Sequence, residues 1–296
     1  MDLLIVNIKQ LVQVEDQPKK WIAGKDMATL ASLSNAYLLL SNGLISDFGN
    51  MVNCPVVSEG TQLIDATGKM VFPCWCDSHT HIVYAGSREG EFVDRIKGLG
   101  YEEIAKKGGG ILNSAKRLQD TPFEVLLEDA YERLQEVVSY GTGAIEIKSG
   151  YGLSYESELK MLRVIKALKK MSPVTIKANF LGAHAIPTIY QNNRQAYIDI
   201  LIDRLLPTIV AEGLADYIDV FCDRGFFTVP ETAQILTAGA KYGLRPKIHA
   251  NELDYSGGVQ VGVAHNALSV DHLECVGADE IACLLGSETM PTLLPS

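Results

Sequence analysis

Met70-Val71-Phe72-Pro73-Cys74-Trp75-Cys76-Asp77-Ser78-His79-Thr80-His81 is the stretch that decides the fold. A short, nearly continuous apolar run ending in polar residues is how a strand buried on both faces of a parallel sheet reads. His79 and His81 are two apart, so on extended backbone both imidazoles point to one side. Such a pair can fill two positions around one metal ion, or can be two hydrogen-bonded polar residues at a strand end. Alternation puts Cys74 and Cys76 on the opposite face, toward helices, where they read as buried core thiols. Asp77 is either an acceptor that orders a ligand histidine or a turn residue.

Downstream, strands alternate with helices. The chain predicts strands at Ala144–Lys148, Thr175–Ala183, Tyr217–Phe221, Pro246–Ala250, Ala267–Val270 and Thr289–Leu294. Thr121, Pro122 and Glu124 read as a capping box opening a helix with apolar residues at Leu126, Leu127, Ala130, Leu134, Val137 and Val138. Further helices are expected over about 155–170, 194–211 and 230–242, around Val259 and over 279–285. Counting the strand at 70–76, this is a run of seven βα-type strands, which favours a (β/α)8 barrel of the TIM type over an open sheet. An eighth unit would lie past Ser296, so the expectation is a barrel that lacks its last unit.

Upstream, residues 1–68 read as a small, sandwich-like β domain and residues 69–296 as the barrel. Leu3–Ile8 and Leu11–Val14 are strand-like, Ala36–Leu40 and Leu44–Phe48 flank the turn Ser41-Asn42-Gly43 as a hairpin, and Thr61–Asp65 follows.

Five of the six histidines fall at or just after strand ends: His79, His81, His184, His249 and His272. Catalytic groups in such barrels project from the C-terminal ends of the strands, so these side chains can meet at one mouth. His265 belongs to the other end. With His249 closing a third position, the His79–His81 pair reads as part of a metal site. Glu252, three residues after His249, is placed to shuttle a proton between water and a leaving nitrogen. Asp271-His272 is a second acid/base candidate, and His184 can donate to a polarised carbonyl oxygen. Lys148 reads as an ion-pair partner. Gly108-Gly109-Gly110 lacks the Lys-Ser/Thr that completes a phosphate loop.

Bulk properties narrow the partners. Twenty-six basic against 36 acidic residues leave a formal net charge of −10, which repels phosphate backbones and excludes nucleic acid as the expected partner. Six cysteines scattered over 296 residues are no disulfide framework. The N-terminus has no cationic region followed by a cleavage site, and no apolar run approaches a bilayer span. The expectation is a soluble, cytoplasmic protein with no membrane partner.

These residues together resemble the amidohydrolase superfamily. Within it, Ala85–Phe92, Gly108–Ile111, Glu146–Leu153, Phe180–His184, His249-Ala250-Asn251-Glu252 with Gly257-Gly258, and Asp271–Glu274 are similar, in order, to the imidazolonepropionase family. The resemblance implies metal-dependent hydrolysis of the cyclic amide 4-imidazolone-5-propanoate to N-formimidoyl-L-glutamate in histidine degradation. It implies one zinc or iron ion per subunit on His79, His81 and His249, and a homodimer. It implies substrate contacts from Arg88, Tyr101, Tyr151, His184 and Glu252, with Glu252 and His272 in proton transfer. A guanidinium at Arg88 suits a small anionic heterocycle, because it grips a carboxylate through two hydrogen bonds. The superfamily's aspartate ligand on the eighth strand would lie past Ser296. Cys74-Trp75-Cys76 departs from the family's usual glycine and aliphatic residues and reads as a packing variant. Another cyclic amidohydrolase or a heterocycle deaminase is the alternative enzyme, and a non-catalytic barrel scaffold the alternative of another class.

Overall fold

A computed structural model describes residues 2–15, 17, 19, 21–87, 89–99 and 110–294, the side chain of Arg95 excepted. The chain divides into two compact units, Met1–Cys74 and Trp75–Ser296.

The first unit is one five-stranded sheet of β1 (Leu3–Val12), β2 (Ser32–Ser41), β3 (Leu44–Asn50), β4 (Gln62–Asp65) and β5 (Met70–Val71). β1 pairs antiparallel with β2 and parallel with β4 and β5. The two strand-like pieces expected at 3–8 and 11–14 are a single strand, bent where its register shifts between Ile5 and Ile8. Asn7 sits there at φ 56°, and asparagine tolerates the left-handed conformation that such a bulge needs. The β2–β3 hairpin turns through Asn42 and Gly43, both at positive φ, as a two-residue turn matching the strand twist requires. Ile8, Leu11, Ala36, Leu38 and Ala66 form its small core.

The apolar run from Met70 is shared between the two sheets. Met70–Val71 pairs with β1, and the first strand of the second unit is β6, Trp75–Thr80. Then come β7 (Thr142–Lys148), β8 (Thr175–Ala183), β9 (Tyr217–Cys222), β10 (Arg245–Ala250), β11 (Ser269–His272) and β12 (Met290–Leu293). All seven are parallel, in the order β12-β11-β10-β9-β8-β7-β6. Five steps separate β6 from β11, about 24 Å in a flat sheet. Yet His79 of β6 and Asp271 of β11 lie 2.7 Å apart. The sheet is therefore curled into most of a barrel wall.

The helices are α1 (Glu89–Ile96), α2 (Ile111–Asp120), α3 (Phe123–Ser139), α4 (Tyr155–Met171), α5 (Arg194–Asp199), α6 (Leu206–Glu212), α7 (Val229–Lys241), α8 (Gly258–Ala264) and α9 (Ala278–Leu285), of which α3, α4, α7 and α8 pack directly on the strands of the sheet's outer face. Ile145, Ile147, Ala178, Phe180, Ile218, Val220, Ile248 and Val270 bury their side chains in the core built with these helices. Each isoleucine, valine or phenylalanine among them contributes roughly 1.5–3 kcal/mol. Gly262 lets α8 approach closely, since a Cβ there would stand 2.7 Å from Val270 Cγ1. The helix expected over 194–211 contains a π-turn at Ile200–Leu205 ahead of Pro207. A proline ring that cannot accept the regular bonding pattern is accommodated by that wider turn.

Two local expectations are corrected. Thr121 does not cap α3: its hydroxyl donates to Arg117 O at 2.8 Å and so closes the end of α2, leaving Pro122 at the cap. A hydroxyl on the residue that follows a helix finds the backbone carbonyl one turn back more readily than the amides of the next helix. Cys74 and Cys76 are exposed rather than core: they lie just before and within β6, which ends the sheet and pairs only with β7 among the described residues.

Candidate metal centre

The inner face of the curled sheet carries the side chains that the outer face excludes. His79 and His81 leave the end of β6, His184 follows β8, His249 lies near the end of β10 and His272 ends β11. Ring centroids are 5.3 Å apart for His79–His81, 4.6 Å for His79–His249 and 5.5 Å for His81–His249. One donor atom from each of these three lies within 4.8 Å of the others. His272 stands 5.2 Å from His79 and 5.1 Å from His249, and His184 5.5 Å from His81. Tyr151 packs 5.5 Å from His81 and 5.3 Å from His184. His265, expected elsewhere, caps α8 and bonds Val261 O.

Two of the three imidazoles are backed by carboxylates. His79 Nδ1 meets Asp271 Oδ2 at 2.7 Å and His249 Nδ1 meets Asp219 Oδ1 at 3.0 Å. An ionised carboxylate only accepts, so each Nδ1 donates and the lone pair is left on Nε2. His249 Nε2 lies 3.4 Å from His81 Nε2, and His81 Nδ1 is buried without a hydrogen bond among the described residues. Burial first, then neighbouring imidazoles, hold His81 well below its ordinary pKa; burial does the same to His249 against the pull of Asp219. Neutral imidazoles converging with their lone pairs are the form that binds a metal.

Beneath them lies a buried ionic layer. Lys148 Nζ donates to Glu146 Oε1 at 2.5 Å and to Asp219 Oδ2 at 2.8 Å, and stands 3.5 Å from Asp271 Oδ2. Lys247 Nζ donates to Glu146 and to Ser78 O, and Asn179 Nδ2 lies 2.8 Å from both Glu146 Oε1 and Asp219 Oδ2. Burial would lower the Lys148 ammonium, but Asp219, Glu146 and Asp271 outweigh it and raise its pKa. Burial likewise would raise the Asp219 carboxyl, but His249 and Lys148 outweigh it and hold it well below the usual range. Three carboxylates against two ammoniums leave one negative charge beneath the imidazoles. Donor chemistry, the partnerless His81 nitrogen and this residual charge all fit a divalent cation.

The loops above hold the remaining candidates. Glu158 Oε1 accepts from Gly152 N at 2.8 Å and Leu153 N at 3.0 Å, pinning the loop that presents Tyr151. Gly150 is required by its φ of 109°, and a Cβ there would stand 2.8 Å from Leu181 O and 3.0 Å from His184 Nδ1. His184 Nδ1 donates to Gly150 O at 3.0 Å, so Nε2 carries a lone pair in the neutral ring and donates only as imidazolium. Asp223 Oδ2 accepts from Glu252 N at 2.8 Å and Leu253 N at 2.9 Å. His272 Nδ1 lies 3.4 Å from Glu252 Oε2 and 3.5 Å from Glu274 Oε1, within ion-pair reach. His272 holds φ 85° and Leu273 φ 65°. Asp77 takes its turn role, accepting from His79 N at 3.3 Å. Arg88 and Tyr101 lie outside the described residues, as do Gly108 and Gly109.

Asp219, Asn179, Asp223 and Lys247 were not singled out by the sequence. The signal was parity: a charge inside an apolar parallel strand, two residues before a site histidine or aromatic, as in Lys247–His249 and Asp219–Phe221.

A curled parallel sheet with imidazoles gathered at the C-terminal ends of its strands defines a metal-dependent hydrolase of the amidohydrolase type. Solved structures agree on the fold: 5-methylcytosine deaminase from Klebsiella pneumoniae matches with TM-score 0.67 at 16% identity, over 97% of this chain and 65% of that one. Guanine deaminase from C. acetobutylicum matches with TM-score 0.67 at 12% identity, over 100% and 68%. No family model matches. Imidazolonepropionase of Christiangramia forsetii is 55% identical over 296 residues, all of this chain and 72% of that protein. The enzyme of the same name from Thermoanaerobacter pseudethanolicus is 38% identical over 295 residues, 99% of this chain and 70% of that protein. The chain belongs to the imidazolonepropionase family. No helix among the described residues is long and apolar enough to cross a membrane.

Proposed function

We propose that the chain hydrolyses 4-imidazolone-5-propanoate to N-formimidoyl-L-glutamate, a step of histidine degradation. The observation that carries the reading is the meeting of His79, His81 and His249 beside His184, Tyr151, Glu252 and His272, in a chain 55% identical to imidazolonepropionase of Christiangramia forsetii. His79, His81 and His249 would hold one zinc or iron ion, which when bound acidifies water and polarises a carbonyl oxygen. Imidazole donors suit either metal.

The chain's own groups do the rest. Arg88, with Tyr101, grips the propionate carboxylate, and Tyr151 and His184 bound the ring. Glu252 accepts a proton from the attacking water and delivers it to the ring nitrogen as the carbonyl C–N bond breaks. Asp223 holds that carboxylate in place through the two backbone amides of its loop. His272, within ion-pair reach of Glu252, relays or steadies the proton. His184 contributes to the oxyanion from Nε2 in its protonated form. The net change adds water across one ring C–N bond and leaves a carboxylate and a formimidoyl nitrogen.

Loss of imidazolone absorbance on adding the metal-loaded, full-length protein is the test, with guanine and dihydroorotate as comparison substrates. Turnover of guanine alone would replace this reading with a deaminase; absence of stoichiometric metal would leave a scaffold. Placement of the enzyme in the cytoplasm as a homodimer belongs to the same proposal, and sedimentation reads the second part.

A further inference from the structure

We propose that Asp219 and Asp271 are positioning residues for the metal-binding imidazoles of His249 and His79, and that Lys148 ties the two into one unit. The proposal rests on the reading of these histidines as ligands. It goes beyond it in naming what fixes their orientation, and in making the two placements interdependent.

The geometry carries the argument. Each carboxylate takes an Nδ1 hydrogen, at 2.7 Å for His79 and 3.0 Å for His249. That bond fixes both the ring rotation about its last torsion and which nitrogen carries the lone pair. Neither carboxylate is itself loose. Asp219 is gripped by Lys148 Nζ at 2.8 Å and Asn179 Nδ2 at 2.8 Å; Asp271 is gripped by Ser269 Oγ at 2.5 Å and has Lys148 at 3.5 Å and Lys247 at 3.4 Å. Lys148 is wholly buried, so no water competes for its three carboxylate neighbours. It also comes from β7, whereas the two carboxylates come from β9 and β11 and their histidines from β10 and β6. One ammonium thus links four other strands to the site. A shift of that ammonium moves both carboxylates, and with them two imidazoles that it never touches.

A layer that served packing alone would have no reason to aim two carboxylates at Nδ1 atoms of separate strands. It would lower stability when broken and leave metal affinity as it was. This difference is measurable. Zinc affinity of the full chain is read by competition with a chromogenic chelator, and melting temperature of the metal-free protein is read alongside. Asp219→Asn and Asp271→Asn, each isosteric, should weaken zinc binding about 10- to 100-fold. Lys148→Met, two bonds removed from any ligand, should weaken it as well. Paired with Lys148→Met, the Asp219→Asn change should cost less than it does alone, since the two share one linkage. Ile248→Ala, on the outer face, is the control: melting should fall while zinc affinity stays within twofold.

Nitrogen NMR of the metal-free wild-type protein supplies a reading that needs no variant. His79 and His249 should carry their hydrogen on Nδ1. Finding it on Nε2 in either ring overturns the proposal, as does unchanged zinc affinity in the folded asparagine variants. Failure of the wild-type chain to bind zinc or ferrous iron would instead sink the metal reading on which this one stands.

Discussion

The two faces of the parallel sheet are built from the same strands and are both buried, yet they follow opposite rules. Along β7 the residues run Ile145, Glu146, Ile147, Lys148; along β10 they run Lys247, Ile248, His249, Ala250. Every second side chain goes to an apolar layer against the helices, and the ones between go to a layer of ions and imidazoles. Apolar packing is non-directional and tolerates repacking. The ionic layer is directional: each charge has a named partner at a fixed distance, and removing one leaves another unpaired in a medium without water. The outer face therefore sets how stable the barrel wall is. The inner face sets where the histidines point.

Substitutions can break that division or sharpen it. The largest effect is expected from His249→Ala, which removes a donor from the three-imidazole cluster: metal analysis should find no stoichiometric ion and turnover should drop to background. Glu252→Gln comes next, with kcat lower by about 10²- to 10⁴-fold and zinc content unchanged; retention of wild-type kcat would remove Glu252 from proton transfer. On the other face, Ile248→Ala should cost roughly 2–5 kcal/mol of stability by denaturant melts, with kcat of the surviving folded protein intact. A comparable loss of kcat would show that the faces are not independent. The smallest effect belongs to the exposed pair of Arg163 and Glu212, bonded at 2.6 and 3.0 Å across α4 and α6. Glu212→Gln should change stability by about 0.5 kcal/mol or less, and less still in high salt.

Much of this was legible in the sequence because both rules leave periodic marks. Continuous apolar runs gave the parallel strands, and histidines confined to strand ends gave the mouth. Thr175–Ala183 was read with its observed bounds. What escaped depends on contacts between distant residues. Asp271 read as a neighbour of His272, whereas its carboxylate faces His79, 192 positions away. Only the curl of the sheet brings them together. Thr121 had two backbone partners within reach and the local pattern could not choose between them. Cys74 and Cys76 were assigned by alternation, which tells which face a residue occupies but not whether anything covers it.

His272 sits at φ 85°, in a region where a side chain with a Cβ is strained by roughly 1–3 kcal/mol. Glycine would relieve that strain and would take away the imidazole beside Glu252. With the role proposed for His272, stability and turnover pull in opposite directions at this residue. A substitution chosen for the backbone alone would deliver a hardier protein without the group proposed to relay or steady the proton on Glu252.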